Sequence, residues 1–353
     1  MSGMTETKQV INRLYAPTWR WLKLNEEQVS LPESLAPAKV LPEGQTTAGA
    51  SASVLYGPDC GSGLGADFAA YLGSHLPSGA GYILEPEPLI RLSLVSRAGQ
   101  AQAASFALSV PGGKECTLCM DYASEEKGEG TLLVDLQIRL GQGASLHLIQ
   151  NDRLNPDSCL YNGVRVVCGK EAKMDSVQMW VGGKTVYAGY RAELEGDASV
   201  CTPSVGYWTR TGHKSDFNYE MVHRGKETSC DVLFSGILDE GAAKTFRGVI
   251  DFKTGSSGSV GTENENVLLT GDRVLNRTIP LILCSEEDVK GNHGATIGKL
   301  SGEEKFYLSS RGLDEASIDA LLVRARLNWI VERMKDEKAR EQILAFIGEM
   351  YAE

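Results

Sequence analysis

The sequence predicts a mainly β protein, a β-solenoid with helical segments at both ends. From about residue 89 to 285, short runs with period-two alternation recur, broken by Gly, Asp, Asn or Lys. A turn of small or acidic residues followed by a strand returns at residues 143, 171, 197, 226 and 255, which gives spacings of 28, 26, 29 and 29 residues. This regular spacing, without a helical pattern between the turns, indicates coils that each rest on their neighbours. A β-sandwich, the alternative, shows turns about 8 to 12 residues apart.

The composition excludes several classes of protein. The chain has 353 residues, 42% hydrophobic and 23% charged, with a formal net charge of −11, as in an ordinary globular protein. A chain this acidic, with no run of Lys or Arg, is repelled by phosphate backbones. We therefore expect no nucleic acid partner. No apolar run is long enough to span a membrane and no signal core is visible, so we expect no membrane association and a cytoplasmic location. Eight cysteines spread over residues 60 to 284 are expected to be reduced thiols.

Changes of pattern divide the chain into four regions. They are an N-terminal helical segment and linker at 1–50, a mixed region at 51–88, the β-helix core at 89–300, and a C-terminal helical region at 301–353.

Both ends are predicted to be helical. Apolar positions between residues 5 and 29, interrupted by Pro17, predict two short helices, and the Pro-, Ala-, Gly- and Thr-rich stretch at 30–50 predicts a linker. Residues 66–76 predict one short helix. Near the C-terminus, Asp314 is a plausible N-cap. Two apolar stripes follow it: Ile318, Leu321, Leu322, Ala325, Trp329, Ile330 and Met334, then Ile343, Leu344, Phe346 and Ile347.

The glycine-rich segments do not predict a nucleotide site. Gly182-Gly183-Lys184-Thr185 resembles the end of a P-loop, but Gln178 occupies the position of the first required glycine. We therefore predict a hairpin-like turn. Gly61-Ser62-Gly63-Leu64-Gly65 lacks the full dinucleotide spacing and a preceding βαβ context. The chain is expected to bind no nucleotide and to hydrolyse no ATP.

The cysteines favour structural roles. Cys116 and Cys119 form a lone C-x-x-C, and on a strand two residues three apart point to opposite faces, so shared metal ligation would need a turn. Cys201, Cys230 and Cys284 lie in apolar strand contexts and are predicted to be core residues.

One histidine is the strongest candidate for function. His147 and His75 are predicted to be structural, and His213 and His223 flank a strand without a partner that we can name. His293 lies in the polar, Gly-flanked stretch Lys290–Thr296, predicted as a loop, where an imidazole can ligate a metal or move a proton.

An acidic triplet is a weaker candidate for a cation site. Glu286, Glu287 and Asp288 could hold a hard cation, although a solvated turn is the simpler interpretation.

The C-terminal third resembles the SufB/SufD family of the SUF iron–sulfur cluster assembly machinery. The segments FRGVIDF, TENENVLLTGDRVLNRTIP and EEDVKGNHGATIGKLSGEEKFYLSSRGL, all within 246–313, follow the order of that family's C-terminal signature. The N-terminal APTWRWLKLNE (Ala16 to Glu26) is similar to the family's N-terminal segment. The resemblance implies a right-handed parallel β-helix with helical ends and a non-catalytic scaffold role, with ATP hydrolysis supplied by the SufC ATPase.

The same resemblance implies partners and a site. Members pair as SufB with SufD through the C-terminal ends of their β-helices, dock SufC through terminal helices, and share a transient iron–sulfur cluster or iron site at the interface. Gly294 and Asn264 stand where SufB carries a glutamate and its essential cysteine, so the chain is SufD-like. His293 matches the SufD histidine implicated in binding the metal. Gly291 replaces a cysteine that SufD-type sequences often carry, which leaves His293 as the ligand expected from this subunit.

Two alternatives stay open at this stage. The chain could be a self-associating scaffold, possible as a homodimer in a reduced system. It could instead be a β-helix protein that binds or cleaves carbohydrate, which predicts secretion and carboxylates clustered in one groove. Roles for Cys116, Cys119, Cys201 and Cys230 are left undecided.

Overall fold

A computed structural model describes residues 6–16, 18, 20–43, 46–48 and 61–350. The chain winds into stacked coils. Successive strands alternate between two sheets, whose strands are mostly parallel. One sheet has the order β20-β18-β16-β14-β12-β10-β8-β6-β5 and the other β21-β19-β17-β15-β13-β11-β9-β7-β4, while β3 also pairs with β8. The predicted β-solenoid is confirmed.

The long strands of the solenoid begin at residue 89, where the alternating pattern begins, and shorter strands of the same sheets precede them. The N-terminal strands are β1 (Glu6–Ile11), β2 (Glu27–Pro32), β3 (Ala36–Pro37), β4 (Lys39–Glu43), β5 (Thr46–Ala48), β6 (Gly81–Leu84), β7 (Leu89–Ser96), β8 (Ala101–Val110), β9 (Glu115–Ser124) and β10 (Thr131–Leu140). The remaining strands are β11 (Ser145–Arg153), β12 (Cys159–Cys168), β13 (Lys173–Trp180), β14 (Thr185–Leu194), β15 (Val200–Thr209), β16 (Lys214–His223), β17 (Ser229–Leu238), β18 (Ala243–Phe252), β19 (Ser259–Leu269), β20 (Leu275–Cys284) and β21 (Val289–Gly298).

Alternation along each strand builds the lumen, which is the space between the two sheets. In β16, Phe217, Tyr219 and Met221 are buried in a core cluster that runs along the whole solenoid. Register pairs such as Cys159 with Thr185 and Ala243 with Leu275 show that one coil takes 26 to 32 residues. The turn spacings read from the sequence are therefore coil lengths.

A repeated corner explains why turn residues recur in the sequence. A residue with positive φ stands two positions before the strand at successive corners: Gly143 before β11, Glu171 before β13, Ala198 before β15 and Glu227 before β17. Each corner must reverse the chain toward the other sheet, and the left-handed conformation does so in one residue.

The N-terminal prediction of two helices and a linker is wrong for the described residues. Residues 6–32 form the antiparallel pair β1 and β2 with one short 3₁₀ turn at Arg20–Leu22, and β3, β4 and β5 occupy the predicted linker. Ile11 is buried in a cluster with Phe68, from the helix at residues 66–75, and with Leu133 on the outer face of the solenoid. Tertiary contact thus decides the conformation of this segment. Pro17, Trp19 and residues 51–60 lie outside the described part.

Four α-helices complete the fold in the described ranges. They are α1 (Ala66–His75), α2 (Gly302–Ser310), α3 (Glu315–Val331) and α4 (Glu337–Glu349). The predicted helix at 66–76 is confirmed as α1. The Asp314 carboxylate caps α3 by accepting a hydrogen bond from the Ser317 N–H, as predicted.

The C-terminal helices pack on the outer face of one sheet. Val323, Leu327 and Ile330 of α3 share an apolar cluster with Val177 and Met179 of β13. Ile343 and Ile347 of α4 join the same cluster. Two members of the predicted stripe on α3 point away from it, since Leu321 is 47% and Trp329 46% exposed.

Candidate functional site at the open end of the solenoid

The two ends of the solenoid differ. At the N-terminal end, β4 and β5 pair antiparallel with β7 and β6 and cover the first coil. At the C-terminal end, no strand within the described ranges pairs with the free edges of β20 and β21. Nearly every residue of β21 is exposed. A sheet edge with unpaired N–H and C=O groups is a template for pairing with another chain.

His293 lies on this uncovered coil. The prediction of a loop at Lys290–Thr296 is wrong: these residues belong to β21, which is in parallel register with β19. The polar, Gly-containing stretch carries no strand signal of its own, and its conformation follows from the strand beneath it. His293 is exposed, as expected, and is the register partner of Glu263.

The side chain of His293 lies on the lumen side of β21. Val289, four positions earlier in β21, packs against the solenoid core. Side chains two apart share a face, so Gly291 and His293 face the lumen with it. A Cβ at Gly291 would meet Ile282 Cγ2 at 2.9 Å, which fits that orientation. The end of the lumen therefore presents an imidazole.

A charged cluster is buried in the lumen one coil below. The Lys244 ammonium is fully buried and donates to the Glu265 carboxylate and to Thr278 Oγ1, at 3.0 Å. Thr278 and Tyr207 hydroxyls donate to the same carboxylate at 2.5 and 3.2 Å. Burial lowers the pKa of Lys244, although Glu265 opposes that effect. The pair is thus fully hydrogen-bonded in an apolar setting.

Glu263 lies beside this cluster with a different environment. It is only 4% exposed, and burial, reinforced by the nearby Glu265 charge, raises its pKa to about 8. Its carboxylate lies over Gly248 on the opposite sheet, where a Cβ would come within 1.9 Å of Oε2. Sequence reasoning missed Glu263 and Lys244. The available signal was that Gly261, Glu263 and Glu265 alternate in phase with the apolar Val267.

Among the described cysteines, Cys284 alone lies on the uncovered coil. Cys116 lies in the lumen and Cys119 under the C-terminal helices, so they point to opposite faces, as predicted. Cys201 and Cys230 are buried core residues, and burial raises the pKa values of both thiols. Cys284 was predicted to be a core residue and is exposed instead, because it ends β20 on the uncovered coil.

The other histidines support the fold. His147 contacts Asp175 at 2.7 Å through Nδ1 and accepts the Lys335 N–H at Nε2, which ties the C-terminal helices to β11. His75 closes α1 with Nδ1 at 2.9 Å from the Tyr71 carbonyl. Burial lowers the pKa values of His213 and His223 to about 4.

The glycine-rich segments and the acidic triplet make internal contacts. The N–H groups of Gly182 and Gly183 donate to Asp152 Oδ2, both at 3.2 Å, so a carboxylate fills the turn. The turn joins strands of different sheets and is a solenoid corner, not the hairpin-like turn predicted. Gly63 packs so closely on Gly189 that a Cβ on Gly189 would lie 2.3 Å from the Gly63 carbonyl oxygen.

The acidic triplet forms a turn. Glu286 accepts the Gly255 N–H at 2.9 Å and Asp288 accepts the Ser257 hydroxyl at 2.8 Å. In the ranges that the structure describes, no three His, Cys, Asp or Glu side chains converge in a way that could hold a metal ion.

A second exposed surface lies on the C-terminal helices. Phe306 and Tyr307 of α2 are 77% and 56% exposed. Between α2 and α3 runs a groove of about 470 Å³, with Leu300, Leu322 and Trp329 among its lining residues.

Comparison with known proteins assigns the family. Residues 93–326 match the family described as "SUF system FeS cluster assembly, SufBD core domain". The chain belongs to the SufBD core family. This match contains all strands from β8 to β21 and most of α3, so the uncovered coil is part of the family core.

The curated relatives include both kinds of SufBD protein. The chain is 24% identical to the iron–sulfur cluster assembly protein SufD of Escherichia coli over 69% of this chain and 57% of that protein. It is 26% identical to SufB of Bacillus subtilis, over 59% of this chain and 44% of that protein. It is 25% identical to the chloroplastic SufBD family protein ABCI8 of Arabidopsis thaliana, over 52% and 33%.

These matches cover only part of each relative. The chain spans between a third and just over half of the length of the three relatives named. Identity to SufD and SufB is equally low, so overall similarity does not separate the two.

Among the described residues, none of the helices is both long and apolar enough to cross a membrane.

Proposed function

We propose that this SufBD family chain is a non-catalytic, SufD-like scaffold subunit for iron–sulfur cluster assembly in the cytoplasm. It pairs with a SufB-type partner through its uncovered last coil and docks the SufC ATPase through its C-terminal helices. The observation that carries the proposal is the open end of the solenoid, where two unpaired strand edges and His293 are presented together.

The open end supports pairing because it exposes strand edges and apolar surface. Exposed strands with free hydrogen-bonding groups are normally covered or protected by charge. In β21 the apolar Ile297 is 51% exposed on the lumen side of the strand, so no described residue covers the end of the solenoid core. A second solenoid stacked end to end would satisfy both the backbone groups and this apolar surface.

The cluster or its iron is the cargo of this site rather than a resident cofactor. A neutral imidazole is a suitable ligand for iron, and thiolates or carboxylates from the partner would complete the coordination. Because few donors of this chain converge there, the proposal requires a site shared between two subunits. Asn264 and Gly294, in place of the SufB cysteine and glutamate, support the SufD-like assignment.

The C-terminal helices support docking of an ATPase. They are tied to the solenoid by His147 and by the Arg91–Asp336 ion pair at 2.6 Å, and they expose Phe306 and Trp329. A motion of the ATPase could therefore pass through rigidly attached helices to the solenoid.

Co-purification with separate variants tests the pairing. With tagged chain co-expressed with SufB and SufC from the same organism, we expect a complex of all three by sizing. Ile297→Asp places a charge on the open end and should remove SufB while SufC stays bound. The matched control Leu41→Asp changes a side chain that is 47% exposed at the closed end and should retain both.

Two results would contradict the proposal. Retention of SufB by Ile297→Asp would show that pairing does not use the last coil. Purification of the wild-type chain as a homodimer without SufB would instead favour the self-associating scaffold.

A further inference from the structure

We infer that Glu263 is a second donor of this chain to the metal at the open end, acting beside His293. The inference rests on the proposed function and extends it, because it names a ligand that exposure and sequence pattern do not indicate.

Register places the two side chains together. Glu263 and His293 are Cα partners in the parallel pair of β19 and β21, so their Cα atoms lie about 4.8 Å apart. Both residues stand on the lumen side, in phase with the core residues Val267 and Val289. A histidine and a glutamate are therefore neighbours on the lumen side of adjacent strands at the mouth of the lumen.

The carboxylate of Glu263 has no partner that explains its burial. Among the described residues, it accepts no hydrogen bond and has no cation within ion-pair distance, whereas the neighbouring Glu265 is satisfied by Lys244, Thr278 and Tyr207. A buried carboxyl without a partner is costly, and native proteins rarely keep one without a use.

The surroundings favour a cation at this point. The cluster below the last coil contains two carboxyl groups and one ammonium, and that ammonium is engaged by Glu265. Gly248 leaves the space into which the Glu263 carboxylate extends, so the side chain is held across the lumen. Imidazole with carboxylate suits iron, and two donors leave positions for ligands from a partner.

Binding of Co²⁺ as a spectroscopic probe tests the inference. Anaerobic titrations of the chain, alone and with its SufB-type partner, give an affinity and a visible ligand-field spectrum. Glu263→Gln removes the carboxyl donor at nearly constant volume. We expect it to weaken Co²⁺ binding about tenfold or more, as His293→Ala should, and to change the spectrum.

Two further variants keep the test decisive. Glu287→Gln makes the same substitution in the exposed turn of the same coil and should change the affinity less than twofold. If Glu263→Gln does not fold, as judged by circular dichroism, Gly248→Ala displaces the carboxylate without removing it and should also weaken binding.

The outcomes separate this inference from the proposed function. Wild-type affinity and spectrum in Glu263→Gln, with loss in His293→Ala, would overturn the role of Glu263 and leave the shared site intact. No Co²⁺ binding by the chain or its complex would also overturn it. Failure of the three-protein complex to form counts against the proposed function only, because the isolated chain reports on Glu263.

Discussion

At the scale of single residues, two buried ion pairs show how this fold accommodates charge away from solvent. Lys244 with Glu265 and Arg247 with Asp216 are buried ion pairs, the second with 2.7 Å between Nη1 and Oδ1. Asn12 also donates to Asp216, so the second pair holds the N-terminal strands on the outer face. Losing one partner of such a pair typically costs about 3–5 kcal/mol.

We expect the buried His223 side chain to make the fold less stable at acidic pH. Its ring is buried, lies 2.7 Å from Thr228 Oγ1 and packs on Phe252, and burial lowers its pKa from 6.5 to about 4. The fold favours the neutral imidazole, so this contribution is full above pH 6.5 and is lost as the pH falls through 4. By linkage it amounts to about 3 kcal/mol.

Urea unfolding between pH 7 and 4 measures this effect. His223→Gln should flatten the decline in the free energy of unfolding. His213→Gln, which removes the other histidine with a pKa lowered to about 4, should flatten it further in the double variant. Equal slopes in wild type and both variants would refute the assignment.

The residues of the site were only partly predictable. His293 stood out because a histidine among glycines and polar residues has no evident role in packing. Glu263 did not, because a charged residue in an alternating run is normally assigned to the solvent side. Its phase with the apolar Val267 was the available signal, and the burial pattern of β19 shows that it faces the lumen.

At the scale of elements, the residue that begins α4 also attaches this helix to the solenoid. Asp336 caps α4 by accepting the Ala339 N–H at 2.9 Å, and the same carboxylate binds Arg91 of β7 at 2.6 Å. One side chain thus starts the helix and attaches it to the solenoid.

Asp336→Ala should destabilise the protein more than loss of a simple cap. We expect a cost of about 2–3 kcal/mol, because the cap is lost and Arg91 is left without its buried partner. Thermal and urea unfolding give the value. Asp314→Ala, at the exposed cap of α3, is the matched control and should cost about 1 kcal/mol. Equal costs for the two variants would argue that the ion pair contributes nothing.

Sequence patterns were enough to predict some elements of the fold and not others. The turns at 143, 171, 197 and 226 were visible because each corner requires a residue that tolerates positive φ or a small side chain. The N-terminal strands were not, since the apolar spacing of Val10, Ile11 and Leu14 fits a short helix as well as a strand. Docking on the solenoid, which no local pattern records, settles the choice.

At the scale of the whole molecule, the described part has one closed and one open end. We expect amide hydrogen exchange to be fastest, within the solenoid, in β20 and β21, because they lack a neighbour on one side. Addition of the SufB-type partner should slow exchange there and leave the closed end unchanged. Protection confined to the N-terminal strands would place the partner at the other end.

The number of stacked coils sets the length of the solenoid. Neighbouring strands in a sheet are about 4.8 Å apart, so the six steps from β8 to β20 span about 29 Å. Insertion or deletion of one whole coil, 26 to 32 residues, keeps both sheets in register. Such a change would shift the last coil by one strand spacing relative to α3 and α4. Coil number thereby determines how far apart the two exposed surfaces are held.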